Sequence, residues 1–327
     1  MNVGIVLPPG APRRSGNRVS AVRWQRMLRS LGHRAAVVSG YDGRQFDLLV
    51  VLHARLGAAA ARTFRDVYPR RPLIVALTGT DLYLDFQLRA VQTTLRLTDR
   101  LVVLQPAALR ALPRGLRAKA VVIYQSVERV LPVHPHRRDE GTFDVAVVAG
   151  LRAVKDPLRA AYAARLLPRD SKIRITAVGP PLDPRFAAAA EREVRVNPRY
   201  RWIGEVGAMR ARRIVAGSDA LVLSSRAEGG ANVIGEAAVA ATPVLCTRID
   251  GTVGLLGKTY PGYFPVGDTA ALAALFARFE RESRFRETLR KRMRAVAPLF
   301  SPGAERRTWA RLLKGLREVR SAGRELR

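Results

Sequence analysis

Residues 224–244, SSRAEGGANVIGEAAVAATPV, decide how the rest of the chain is read. The stretch leaves an apolar run, residues 219–225 (DALVLSS), crosses a paired glycine at Gly229 and Gly230, and enters an alanine-rich, helix-favouring segment. That order predicts a strand, a tight loop and a helix N-terminus. The first-turn N–H groups of such a helix lack intrahelical partners and its dipole places about half a positive charge there, so the loop suits an anion such as a diphosphate. Glu228 precedes the glycines, and Glu236 follows it after seven intervening residues. A carboxylate beside a phosphate is repelled by it, so the pair reads better as acceptors for neutral hydroxyls. Glu228 would take those of a sugar at the loop and Glu236 the two of a ribose, each bond contributing roughly 1.5–3 kcal/mol. Two solvated charges at a helix start would show the same spacing.

Outward from this segment, short apolar runs bounded by Gly, Pro or Asp alternate with longer helical patterns, the signature of parallel sheets with crossover helices. Strands are expected near residues 3–7, 35–38, 48–52, 73–77, 101–104 and 121–124. After a polar connector containing Pro and His, 131–142, the alternation restarts at 145–148, 173–178, 200–203, 221–223, 244–247 and 263–266. Two sets of six predict an α/β chain of two doubly wound, Rossmann-like domains, 1–135 and 136–297, facing a cleft at the C-terminal edges of their strands. Beyond residue 268 the pattern is mostly helical.

A chain of 327 residues with 48% hydrophobic content fills two such cores. The net charge of +30 points toward nucleic acid or an anionic membrane, but its make-up argues otherwise. Six of the 57 basic residues are lysine, at 119, 155, 172, 258, 291 and 314; the remainder are arginines, dispersed and without a basic run interleaved with aromatics. Arginine, alanine, leucine and valine together reflect a GC-rich coding bias, and no nucleic-acid partner is expected. The single cysteine, Cys246, excludes an intramolecular disulfide and sits in the apolar run PVLCT, which predicts a buried strand thiol. The N-terminal apolar segment is too short to span a bilayer, and no later run reaches about twenty apolar residues. A cytoplasmic protein without integral membrane association is expected.

Chemistry-bearing residues fall after the strands. The first strand leads through a proline-rich loop to Ser15, Gly16, Asn17 and Arg18 at the start of an amphipathic helix. The Gly16 and Asn17 amides face an anion in one reading, with Arg18 adding a fixed cation; a plain N-cap by Ser15 or Asn17 is the other. His53 ends the third strand and reads as a satisfied polar residue before a catalyst. Thr78, Gly79, Thr80 and Asp81 follow the fourth strand, where they would bind a sugar, orient an acceptor or cap the next helix. Asp81 is the leading candidate for a base or orienting carboxylate, and Thr80 for an acceptor-side hydroxyl.

The full pattern S-x3-E-G-G-x5-E-A-x2-A-x2-P-V-L resembles the nucleotide-sugar site of family-four glycosyltransferases, which have the GT-B fold. The resemblance implies that Glu228 meets the donor sugar, that Gly229, Gly230, Ala231 and Asn232 meet the diphosphate, and that Glu236 meets the ribose. It also implies that Arg152 and Lys155, after the first strand of the second domain, clamp the diphosphate and counter the charge growing on the leaving group. These two stand closer together than the family pattern leads one to expect. The base would lie against residues 204–206, and the last segment, 298–327, would be a helix crossing back onto the first domain, anchored by Trp309. No Asp-x-Asp motif accompanies these residues, so neither a metal nor another cofactor is expected.

Several stretches narrow the resemblance. SGNRVSAVRWQRMLRSLGH, LTGTDLYLD, VVLQPAAL, VIYQSVE, EGGANVIGEA and YPGYFPVGD are similar to the selenosugar synthases of selenoneine biosynthesis, over nearly the whole chain. That likeness implies transfer from UDP-N-acetylglucosamine or UDP-glucose to selenophosphate, forming a carbon–selenium bond, with hand-over of the product to other enzymes of the pathway. A small polyanionic acceptor suits Gly16, Asn17 and Arg18, and an already ionised selenium needs little help from a base. The alternatives are a transferase acting on an oxygen acceptor such as a lipid or polyol, for which the basic pair Arg13 and Arg14 speaks, and a nucleotide-sugar-binding protein without turnover.

Overall fold

A computed structural model describes residues 1–10, 15–132 and 141–325. Arg13, Arg14 and most of the expected connector lie outside the described residues. Twelve strands are described: β1 (Asn2–Leu7), β2 (Arg34–Ser39), β3 (Leu48–Leu52), β4 (Leu73–Ala76), β5 (Arg100–Val103), β6 (Ala120–Val122), β7 (Phe143–Val148), β8 (Ile173–Val178), β9 (Tyr200–Trp202), β10 (Ala220–Leu223), β11 (Val244–Thr247) and β12 (Tyr263–Phe264). The helices are α1 (Gly16–Ser30), α2 (Ala58–Val67), α3 (Thr80–Tyr83), α4 (Arg89–Leu97), α5 (Ala107–Ala111), α6 (Arg114–Arg117), α7 (Arg159–Arg165), α8 (Pro184–Val196), α9 (Ala208–Gly217), α10 (Asn232–Ala240), α11 (Asp250–Leu256), α12 (Thr269–Arg281), α13 (Ser283–Val296) and α14 (Pro302–Glu325). The chain divides into two compact units, Met1–Ser126 with Ser301–Arg327, and Val127–Phe300.

The first unit holds a parallel sheet in the order β2-β1-β3-β4-β5-β6. All five residues of β3 are buried, because helices cover both faces of the sheet. Alternate residues serve the two faces: Leu48, Val50 and Leu52 join one core with Trp24, and Leu49 and Val51 join the other with Phe64. Helix α14 belongs to the first of these cores through Trp309, Leu312, Leu313 and Leu316. Trp309 meets Trp24 edge to face at 5.1 Å, worth about 0.5–1.5 kcal/mol beyond the area buried. Beside that pair Glu305, 2% exposed, accepts from Trp24 Nε1 at 2.6 Å, Arg23 Nε at 3.0 Å and the Ser126 N–H at 2.8 Å. An apolar anchor and a buried polar clasp thus hold α14 to α1.

The second unit holds a parallel sheet in the order β12-β11-β10-β7-β8-β9. Its last strand is shorter than the expected 263–266 and stops at Phe264, before Pro265, which has no N–H to extend a ladder. Both sheets start in the middle. From β1 the chain goes to β2 on one side and then to β3 on the other; from β7 it goes to β8 and β9, then returns to β10. Such a reversal leaves a crevice between the two diverging loops at the C-terminal edge of the strands. In the second unit those loops are 149–158 and 224–231.

Candidate functional site

The two loops at the reversal of the second sheet are stitched together. Ser224 Oγ donates to the Asp156 carbonyl at 2.7 Å and the Arg226 N–H to the Val154 carbonyl at 2.8 Å. Asp156 takes the left-handed conformation, φ 43°, and its carboxylate is held by Arg159 at 3.0 Å. This tight turn carries Lys155 to Glu228: Lys155 Nζ lies 2.5 Å from Glu228 Oε1, and Ser225 Oγ donates to the same oxygen at 2.6 Å. The Glu228 side chain is 9% exposed and that of Lys155 21%. From below, α11 presses on the Glu228 backbone, where a Cβ at Gly251 would stand 2.1 Å from the Glu228 carbonyl oxygen. Only glycine permits that approach.

Past the glycines, Ala231 occupies the N-cap of α10 without a side-chain capping bond, and the first turn carries no acidic residue. The N–H groups that open a helix, with its dipole, suit an anion. Gly229 and Ala231 are buried, Gly230 and Asn232 half-buried. Glu236 lies one turn into α10, where Arg212 Nε meets its Oε1 at 3.2 Å. Arg152 is exposed on the turn that carries Lys155. Residues 204–206 follow β9 on the same edge, with Gly204 at φ 71°. Lys155, Ser225 and Glu228 are brought together; Arg152 lies on the turn that carries Lys155, and the start of α10, with Glu236, follows the loop that carries Glu228.

On the C-terminal edge of the first sheet, Ser15 caps α1, its Oγ accepting from the Arg18 N–H at 3.3 Å. Gly16 is exposed, and Asn17 and Arg18 are half-buried. Asp81 is wholly buried. Its Oδ1 accepts from the Thr78 and Gly79 N–H groups at 2.9 Å each, and its Oδ2 from the Ala54 N–H at 2.8 Å. A carboxylate so committed caps and orients the loops after β3 and β4; it presents no atom to solvent. His53 is 5% exposed and carries φ 73°, a region costly for a residue with a Cβ, at about 1–3 kcal/mol. Its Nε2 pairs with Thr80 Oγ1 at 2.8 Å and its Nδ1 stands 3.8 Å from Asp81 Oδ2. The expected satisfied histidine is thus also a strained one, tied to the Thr80 hydroxyl.

Ser225, Arg212 and Glu305 escape the sequence reading. Ser225 is visible as half of a serine pair ending a strand, but nothing in its spacing says which of the two faces Glu228. Cys246 lies buried in β11, where burial pushes its thiol up. Among the described residues no group of three His, Cys, Asp or Glu side chains is placed to hold a metal ion, and no helix is long and apolar enough to cross a membrane.

Residues 133–296 match the family described as glycosyl transferases group 1. The chain belongs to that family. As a group 1 glycosyl transferase it has the GT-B architecture of two parallel-sheet Rossmann-like units. It is similar to Anabaena Alr3699/HepE in complex with UDP, at 16% identity over 96% of this chain and 100% of that one, with a TM-score of 0.76. The same Anabaena protein in complex with UDP-glucose gives 15%, 96%, 100% and 0.77. The sucrose-phosphate synthase (tll1590) of Thermosynechococcus elongatus gives 13% identity over 97% of this chain and 99% of that one, with a TM-score of 0.75. At these identities the likeness speaks for the fold. No curated protein matches the chain.

Proposed function

We propose that this group 1 glycosyl transferase moves a hexosyl unit from UDP-N-acetylglucosamine or UDP-glucose to the selenium of selenophosphate, releasing UDP. One observation carries the donor half: Lys155 and Glu228 meet at 2.5 Å in the crevice of the second sheet, beside a helix start with no side-chain cap. In this reading the amides of Gly229, Gly230, Ala231 and Asn232 receive the diphosphate. Arg152 and Lys155 counter the charge that grows on UDP as the bond from C1 to the phosphate oxygen breaks, the step where electrostatic stabilisation counts most. They also take the role a metal would otherwise fill, so no metal is proposed. Glu228 exchanges its Lys155 partner for sugar hydroxyls, and Glu236 takes the ribose.

The acceptor half is supported by the resemblance of SGNR and LTGTDLY, both of which lie on the C-terminal edge of the first sheet. Gly16, Asn17, Arg18 and Thr80 would hold the acceptor's phosphate oxygens, with Asp81 orienting the Thr80 turn. The selenium electron pair forms the bond to C1 while the C1–O pair leaves on UDP, and no general base is required. The setting proposed is cytoplasmic, with the product handed to a later enzyme.

A second reading, transfer to an apolar alcohol, is favoured by Leu56, Leu84 and Leu88, which are 45%, 62% and 45% exposed on the segments after β3 and β4. Anaerobic incubation with UDP-N-acetylglucosamine and fresh selenophosphate separates the readings. A selenium isotope pattern on a hexosamine, absent with Glu228→Ala, is the expected result. UDP release that requires a long-chain alcohol instead would favour the second reading, and tight UDP binding without turnover on either acceptor would sink both.

A further inference from the structure

Helices α9 and α10 pack against each other, and both begin at the C-terminal edge of the second sheet. Arg212 is the fifth residue of α9 and Glu236 the fifth of α10. At a rise of 1.5 Å per residue both therefore lie about 6 Å down their helices from that edge. At this depth the Arg212 Nε–H donates to Glu236 Oε1 at 3.2 Å, with side chains 18% and 14% exposed. Of the three arginines of α9, Arg210 and Arg213 are exposed, and Arg213 donates to the Leu131 carbonyl. Arg212 alone turns to the carboxylate expected to meet a ribose.

We infer that Arg212 is a positioning residue for the donor ribose, holding the Glu236 carboxylate in the orientation that receives the ribose hydroxyls. The inference rests on the donor-site reading above. A glutamate free to rotate loses side-chain freedom each time a ligand orders it, and a partner that orders it beforehand removes that loss from the binding step. Arginine suits the task because its planar guanidinium fixes direction as well as charge, which a lysine ammonium does not. Since Arg212 acts through Glu236, its removal is felt through the ribose hydroxyls and not through the base or the diphosphate.

The test compares UDP with 2′-deoxy-UDP by titration calorimetry on the full chain carrying Arg212→Ala, Arg212→Lys or Glu236→Gln, beside the unaltered protein. The unaltered protein should prefer UDP by about tenfold, the fold-change of one charge-assisted hydrogen bond. Arg212→Ala should bring the preference to within about twofold by weakening UDP alone, since only the ribose contact is loosened. Glu236→Gln should do the same, the double variant should add nothing, and Arg212→Lys should keep part of the preference. A preference unchanged by Arg212→Ala, or equal loss of both ligands, overturns the inference. An unaltered protein that binds UDP with no preference overturns the Glu236–ribose contact together with it. Failure to bind UDP at all overturns the donor reading itself.

Discussion

Replacing Lys155 by methionine keeps most of the aliphatic stem and deletes the cation 2.5 Å from Glu228. The carboxylate, 9% exposed, is then left with the Ser225 hydroxyl at 2.6 Å. Stripping one partner from a buried pair costs about 3–5 kcal/mol. The Lys155 side chain is 21% exposed, so water reaches the gap and the figure falls to about 2–3 kcal/mol. The opposite substitution, Glu228→Gln, leaves an ammonium that can rehydrate, and costs about 1 kcal/mol. At about 2–4 °C per kcal/mol for a unit of this size, Lys155→Met should lower the melting transition by about 5–10 °C and Glu228→Gln by a few degrees. The double variant should recover part of the loss, with a coupling of about 1–2 kcal/mol. Scanning calorimetry reads all three. If Lys155→Met proves no more harmful than Glu228→Gln, or if the two effects simply add, the pair is not the buried, mutually dependent unit described.

Other predictions concern the frame around the site. Glu305→Ala leaves the Trp24 and Ser126 N–H groups and the Arg23 guanidinium facing a gap, and should cost about 3–5 kcal/mol, read as a lower melting transition; an unchanged one would refute the clasp. Burial both hides the Cys246 sulfur and pushes its thiol up, so thiolate stays scarce in the folded protein even at pH 9. Ellman's reagent should therefore find one thiol only after denaturant is added, and prompt reaction of the folded protein would contradict this. Gly251→Ala places a carbon 2.1 Å from the Glu228 carbonyl oxygen, and the loop must move; UDP affinity should fall about tenfold or more, and an unchanged affinity would show that the loop is not part of the site.

The fold was legible because its strands are buried on both faces. A run such as LLVVL at 48–52 has no polar side to blur it, and the restart of the pattern after the connector marked a second sheet. The loop of residues 224–231 was legible because a strand, two glycines and a helix start are contiguous in the chain. Contacts between distant segments were not. Nothing in the spacing of Lys155 shows that a left-handed Asp156 turns it to Glu228, and nothing near Glu305 names Trp24, Arg23 and Ser126 as its partners. Asp81 follows a strand and a glycine in the chain, where a carboxylate that caps three amides and one that serves a ligand look alike in sequence. The strain at His53 is a backbone property that its neighbours in the chain do not advertise.

The most direct measurement is a structure of the protein with UDP-glucose bound. The diphosphate is expected against the amides of Gly229, Gly230, Ala231 and Asn232, the ribose on Glu236, the sugar hydroxyls on Glu228, and Lys155 turned from Glu228 to the phosphates. A nucleotide held elsewhere, with the Lys155–Glu228 pair intact, would contradict it.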